Sequence, residues 1–141
     1  MASGIYNQFK TQIMKKTIDL VNDTVKVALL NNSHAFNADN AGYSAISANE
    51  LAATGGYTTG GATLASKTVT QDDSGDKGVF DAADTSWTTA TFTACHAVIW
   101  DDTPSSPADP LIASIDFGGA KTVSSGTFTI VWHANGILSI A

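Results

Sequence analysis

A chain of 141 residues with 43% hydrophobic and 14% charged side chains fits one globular domain, residues 1–141, large enough to bury its own core. Seven Lys and Arg against thirteen Asp and Glu leave a net charge of −6. That balance excludes the clustered phosphate contacts of nucleic-acid binding and disfavours an anionic membrane surface. One cysteine, Cys95, excludes an intrachain disulfide and a multi-thiolate metal site, and its apolar neighbours predict a small buried hydrophobe.

In chain order, Ile5, Phe9, Ile13 and Met14 recur at a helical period and predict an N-terminal helix over about residues 5–20, with Ser3 as its candidate N-cap. Lys15 and Lys16 fall on its solvated face. Residues 24–30 read as a strand and residues 31–42 as a polar loop. A short helical turn is expected over 44–53, then glycine-punctuated turns flanking a brief extended run at 57–59. Residues 62–71 alternate as a strand, the acidic cluster 72–76 is a turn, and 77–81 carry a short strand. Two Thr-rich and apolar runs, 87–93 and 96–100, read as further strands, the second central. Pro104, Pro107 and Pro110 make 101–110 a loop. Residues 111–117 form a strand, Gly118-Gly119 a turn and 126–132 another strand; Asn135-Gly136 is the strongest short hairpin signal, closing on 137–140. About seven or eight strands at this spacing predict a mainly β protein, an antiparallel β-sandwich or jelly-roll-like domain with one N-terminal α-helix.

The sequence holds no Gly-x-Ser-x-Gly elbow and no phosphate-cradling Gly-x-x-x-x-Gly-Lys-Ser/Thr. His34, His96 and His133 lie on separate segments; His96 and His133 are expected in strands that could make them neighbours across the sheet, but without a third ligand they make a poor zinc site, and the plainer reading is a His133 near a strand end and a satisfied, half-buried His96. Asp72, Asp73 and Asp76 raise the question of calcium, but the twelfth position from Asp72 is Ala83, not the bidentate Glu of an EF-hand. An acidic hairpin tip is the simpler account. Trp100 and Trp132 sit among apolar neighbours and are expected in the core, whereas Trp87, among Thr and Ser, is the candidate for an interface. No catalytic residue, cofactor or metal is called for, and with no basic-then-apolar leader and no apolar run near the roughly 20 residues of a membrane span, a soluble protein of a reducing cytoplasm is expected.

Several segments carry a likeness: Gly4-Ile5-Tyr6-Asn7-Gln8-Phe9, residues 19–30, residues 56–64, Gly78-Val79-Phe80-Asp81 ahead of Trp87, residues 111–117, and the ending Gly136-Ile137-Leu138. Over nearly its whole length the chain resembles small structural proteins of tailed bacteriophages, most closely the head decoration (cement) proteins. The resemblance implies a non-enzymatic β-rich domain that assembles, with a trimer favoured, on the outer surface of a capsid after synthesis in the host cytoplasm. Its partners would be the major capsid protein and copies of itself, with no nucleic acid and no membrane. Ile5, Tyr6, Phe9 and Trp87 are the candidate contact residues, against the plainer reading that the first three pack on their own sheet. The rival functions are a tail or fibre-tip β-sandwich that binds a carbohydrate or a receptor, and a small hydrolase.

Overall fold

The computed structural model describes residues 3–141 and is mainly β, with two antiparallel sheets and one short helix. The elements are β1 (Gly4–Ile5), α1 (Asn7–Met14), β2 (Val25–Leu30), β3 (Ala62–Thr63), β4 (Thr68–Asp72), β5 (Lys77–Asp81), β6 (Thr85–Asp101), β7 (Leu111–Ile130) and β8 (Leu138–Ile140). Single 3-10 turns occupy Tyr43–Ala45 and Ser47–Asn49, where a helical turn was expected. The larger sheet runs β1-β7-β6-β2-β3 and the smaller β4-β5-β8.

β2 shows why the sequence reads as strand rather than helix. Val25, Val27 and Leu29 project into the main core between the sheets, while Ala28 and Leu30 join Tyr6, Ile46, Val98, Trp100 and Leu111 on the opposite face. A central strand covered on both sides needs apolar residues at nearly every position. The long loop after β2 supplies the second cover, with Phe36 and Tyr43 packed against that outer cluster.

Five expectations are corrected. The helix ends at Met14 rather than near residue 20, because Lys16 turns to φ 61° and the Asp19 carboxylate takes the N–H groups of Val21 and Asn22. Its N-cap position is Tyr6, and the Ser3 hydroxyl instead accepts the Asp116 N–H at 3.0 Å. The strand over 62–71 is broken at Ser66 (φ 54°), so β3 pairs with β2 in one sheet and β4 with β5 in the other.

Gly118-Gly119 does not reverse the chain. The pairs Ala94↔Lys121 and His96↔Asp116 leave residues 117–120 opposite Cys95 alone, an enlarged β-bulge that the two glycines at φ 75° and 147° permit. Asn135-Gly136 does form a turn, with the Gly136 N–H donating to the His133 carbonyl at 2.8 Å, but it is no hairpin: β8 pairs with β5, where Leu138 lies beside Phe80 in the core. Gly61 shows how tightly the loop before β3 is seated, since a Cβ there would stand 1.8 Å from the Val27 carbonyl oxygen at φ +84°.

Candidate functional site

β6 and β7 run on past the sheet as a two-stranded ribbon. β2 covers β6 only over its C-terminal third, from His96 to Asp101, and β1 pairs with β7 only at Ala113 and Ser114. Beyond Asp116 the outer edge of β7 therefore has no strand partner among the described residues. Alternation sorts the ribbon into two faces. The inner face carries Trp87, Phe92 and Phe128, whose rings approach edge-on or tilted at 5.2–6.5 Å between centroids. On the outer face Ser86 and Thr129 share a hydrogen bond of 2.8 Å, and Thr93 and Thr122 one of 2.9 Å. Thr88 and Thr127 are exposed as well. That hydroxyl-bearing face has no charged side chain on it.

A groove of about 620 Å³ follows the other side of the ribbon. The bulge after Asp116 folds Phe117 back to 6.2 Å from Phe128, and these two rings with Ile115, Ile130, Trp132 and Ile137 form its apolar wall. Trp132 is fixed at both ends: its backbone N–H donates to Asp84 Oδ1 and its indole N–H to the Ala83 carbonyl. Val131 beside it is 73% exposed. Lys121 and His133 also line the groove, and no carboxylate does.

The sequence-derived contact residues fall elsewhere. Tyr6 and Phe9 are fully buried, Ile5 is half-buried against the core and Trp87 is 6% exposed. In the isolated chain these four are packing residues. Tyr6 is held by its N–H on the Ile112 carbonyl and by the Phe36 ring at 5.0 Å, and Trp87 is turned inward by the two-residue period of β6. Trp100 is buried as expected, and Trp132, also expected in the core, is partly buried against it while its remaining surface lines the groove. Cys95 is buried.

His96 does not neighbour His133. It is 3% exposed, packs edge-on against His34 at 5.0 Å and lies 3.9 Å from Asp116 Oδ1. His34 Nε2 meets the Ser114 hydroxyl at 3.1 Å. Among the described residues no group of three or more His, Cys, Asp or Glu side chains could hold a metal ion. Burial, and then the neighbouring His96, hold the His34 pKa below the ordinary 6.5. The unfolded chain then binds the extra proton first, so stability is expected to fall as the pH drops below about 6.5. Urea midpoints for the wild type and His34→Gln test this: the variant should lose that part of the slope, and an unchanged slope would assign it to another group.

Two further polar knots were not legible in advance. Glu50, the chain's one glutamate, accepts from Tyr43, Tyr57 and the Gly60 N–H. Asp101, fully buried at the end of β6, faces Asp23. No periodicity signals either, because each depends on which loops meet. No helix among the described residues is long and apolar enough to cross a membrane. Compared with known proteins, the chain matches no family model, no curated protein and no solved structure.

Proposed function

We propose that this chain is a non-enzymatic virion structural protein of a tailed bacteriophage, binding the outer surface of the capsid through the major capsid protein and stabilising the shell. The observation that carries the reading is the outer face of the β6–β7 ribbon. It is broad, uncharged and built of short hydroxyl side chains already held by cross-strand hydrogen bonds, so ordering it against a partner loses little side-chain entropy. Many such weak contacts, repeated over a lattice, add up through multivalency. The groups with chemical potential agree with a structural role: His34, His96, Ser114 and Cys95 are each 6% exposed or less. The resemblance to decoration proteins points the same way.

Co-sedimentation with emptied, expanded phage shells tests the proposal. Saturable binding at a fixed ratio to shell subunits, with a rise in the temperature at which the shell disrupts, is the expected result. Thr93→Lys and Thr122→Lys on the outer face should weaken that binding. Absence of binding, together with retention on glycans, would replace it with the fibre-tip receptor-binding reading.

A further inference from the structure

We propose that copies of this chain join one another through two unlike patches: the groove along β7 of one copy receives the inner face of the β4–β5 hairpin, with β8 beside it, of the next. Among the described residues, the large hydrophobic side chains exposed on the surface are Met14, Val21, Val69, Val131 and Ile140. Three of the five sit on these two patches. Val131 stands at the groove, while Val69 and Ile140 belong to the small sheet.

The register of that sheet explains their exposure. Val69 lies opposite Phe80, and Phe80 opposite Leu138, so the three share one face. Phe80 and Leu138 are buried at 1% and 9% exposure, yet Val69 is 53% exposed. Gln71, Gly78 and Ile140 form the next row on the same face, with Ile140 at 49%. The inner face of the hairpin thus extends beyond the body it packs on. It presents a hollow lined by Val69, Gln71, Gly78 and Ile140 and bordered by Asp72, Asp73 and Asp76.

Charge decides the occupant. The hairpin patch is bordered by three carboxylates and one cation, Lys77, which lies 3.7 Å from Asp72. Charged character along the groove comes from Lys121, and from His133 when protonated, with no carboxylate. Two hairpin patches facing each other would set acid against acid, and two grooves would set Lys121 against Lys121. Groove against hairpin matches apolar to apolar and base to acid. A contact between different patches of identical chains is heterologous: it closes as a ring, or as a reciprocal pair, when the geometry allows. The proposal stands apart from shell binding, since it concerns the groove and the small sheet rather than the hydroxyl face.

Sedimentation velocity over a concentration series, on the whole chain, reads the association. Val131→Asp spoils the groove and Val69→Asp the hairpin. Both sites are more than half exposed, so the fold survives, which far-ultraviolet circular dichroism checks. Each variant alone should associate at least about tenfold more weakly than the wild type, because a carboxylate is forced into an apolar contact. An equimolar mixture of the two should regain a dimer, since each supplies the patch the other lacks. Lys121→Glu should also weaken association. A wild type that stays monomeric throughout the series overturns the proposal, whatever the shell-binding result. So does Val69→Asp associating like the wild type, or a mixture no better than either variant alone.

Discussion

Replacing Glu50 with alanine is expected to lower stability by about 3 kcal/mol or more, a fall in melting temperature on the order of 10 °C for a chain of this size. One carboxylate gathers three donors. Oε1 accepts the Tyr57 hydroxyl at 2.5 Å and the Gly60 N–H at 2.6 Å, and Oε2 accepts the Tyr43 hydroxyl. The Tyr57 oxygen in turn accepts the Leu29 N–H from β2 at 3.0 Å. Tyr43 stacks on Trp100 at 4.4 Å, and the Trp100 indole donates to the Gly60 carbonyl at 3.1 Å. The knot therefore ties the loop between β2 and β3 to two central strands. Burial, and then the Glu50 carboxylate, push both phenols well above their ordinary 10.0, so they stay neutral donors at any physiological pH. Without the carboxylate two phenols and an amide lose their acceptor together. Glu50→Gln keeps the shape and one carbonyl oxygen, and about half the loss is expected. Urea unfolding of both variants measures this; equal, sub-kilocalorie effects would show that water replaces the carboxylate without penalty.

Asp101→Asn is expected to stabilise the protein above neutral pH. The Asp101 side chain is fully buried; its Oδ1 accepts the Thr103 N–H at 3.0 Å, while its Oδ2 meets no donor and faces the Asp23 carboxylate. Desolvation first, then Asp23, push its pKa from the ordinary 3.8 up to about 7. As a neutral carboxyl it donates to Asp23, whereas as a carboxylate it is a buried charge beside another, which the Thr103 N–H and Lys67 offset only in part. The folded chain therefore holds a proton that the unfolded chain releases between 3.8 and about 7. That contribution is present in full below the lower value, declines across the window and is gone once the pH passes the upper one. Asparagine supplies a permanent donor in the same shape. Near pH 4, to a rough approximation, the variant should match the wild type, and by about pH 8 it should exceed it by on the order of 1–3 kcal/mol. A variant less stable at every pH would show that Asp101 is better ionised than paired. The His34 slope runs the opposite way, so the two variants are needed to separate them.

How far the fold was legible depends on where its constraints lie. β2, β5 and the apolar end of β6 stand out because their burial is set by residues within each strand, and a period of two or an unbroken apolar run records it directly. The strands that fused were misread for a definite reason. Gly118-Gly119 and the residues before Ala94 look like breaks in sequence, but β6 supplies a continuous partner that carries β7 through its irregularities. The last strand illustrates the reverse: Asn135-Gly136 makes its turn, yet Phe80 on a distant strand captures Leu138. Of the site, the Thr-rich composition of the ribbon was visible, whereas the groove was not. Phe128 and Trp132 line it together, but local sequence cannot tell which face of their strand stays uncovered.

The irregularities of the ribbon bear on what happens when the protein is crowded. An open β edge of this length, with Lys121 its only charged residue between Phe117 and Ile130, is the kind of template on which cross-β fibrils grow. Growth requires donors and acceptors at a constant repeat, and β7 does not offer one. Residues 117–120 swing out opposite Cys95, Ser125 turns to φ 47° with its N–H taken by the Thr91 hydroxyl, and Thr89 on the partner strand turns to φ 50°. No stretch between these kinks is long enough to seat a six- or seven-residue zipper segment. Packed side by side at high local concentration, such chains would meet through side chains at fixed places, and the assembly would stop at a finite size instead of polymerising along the backbone.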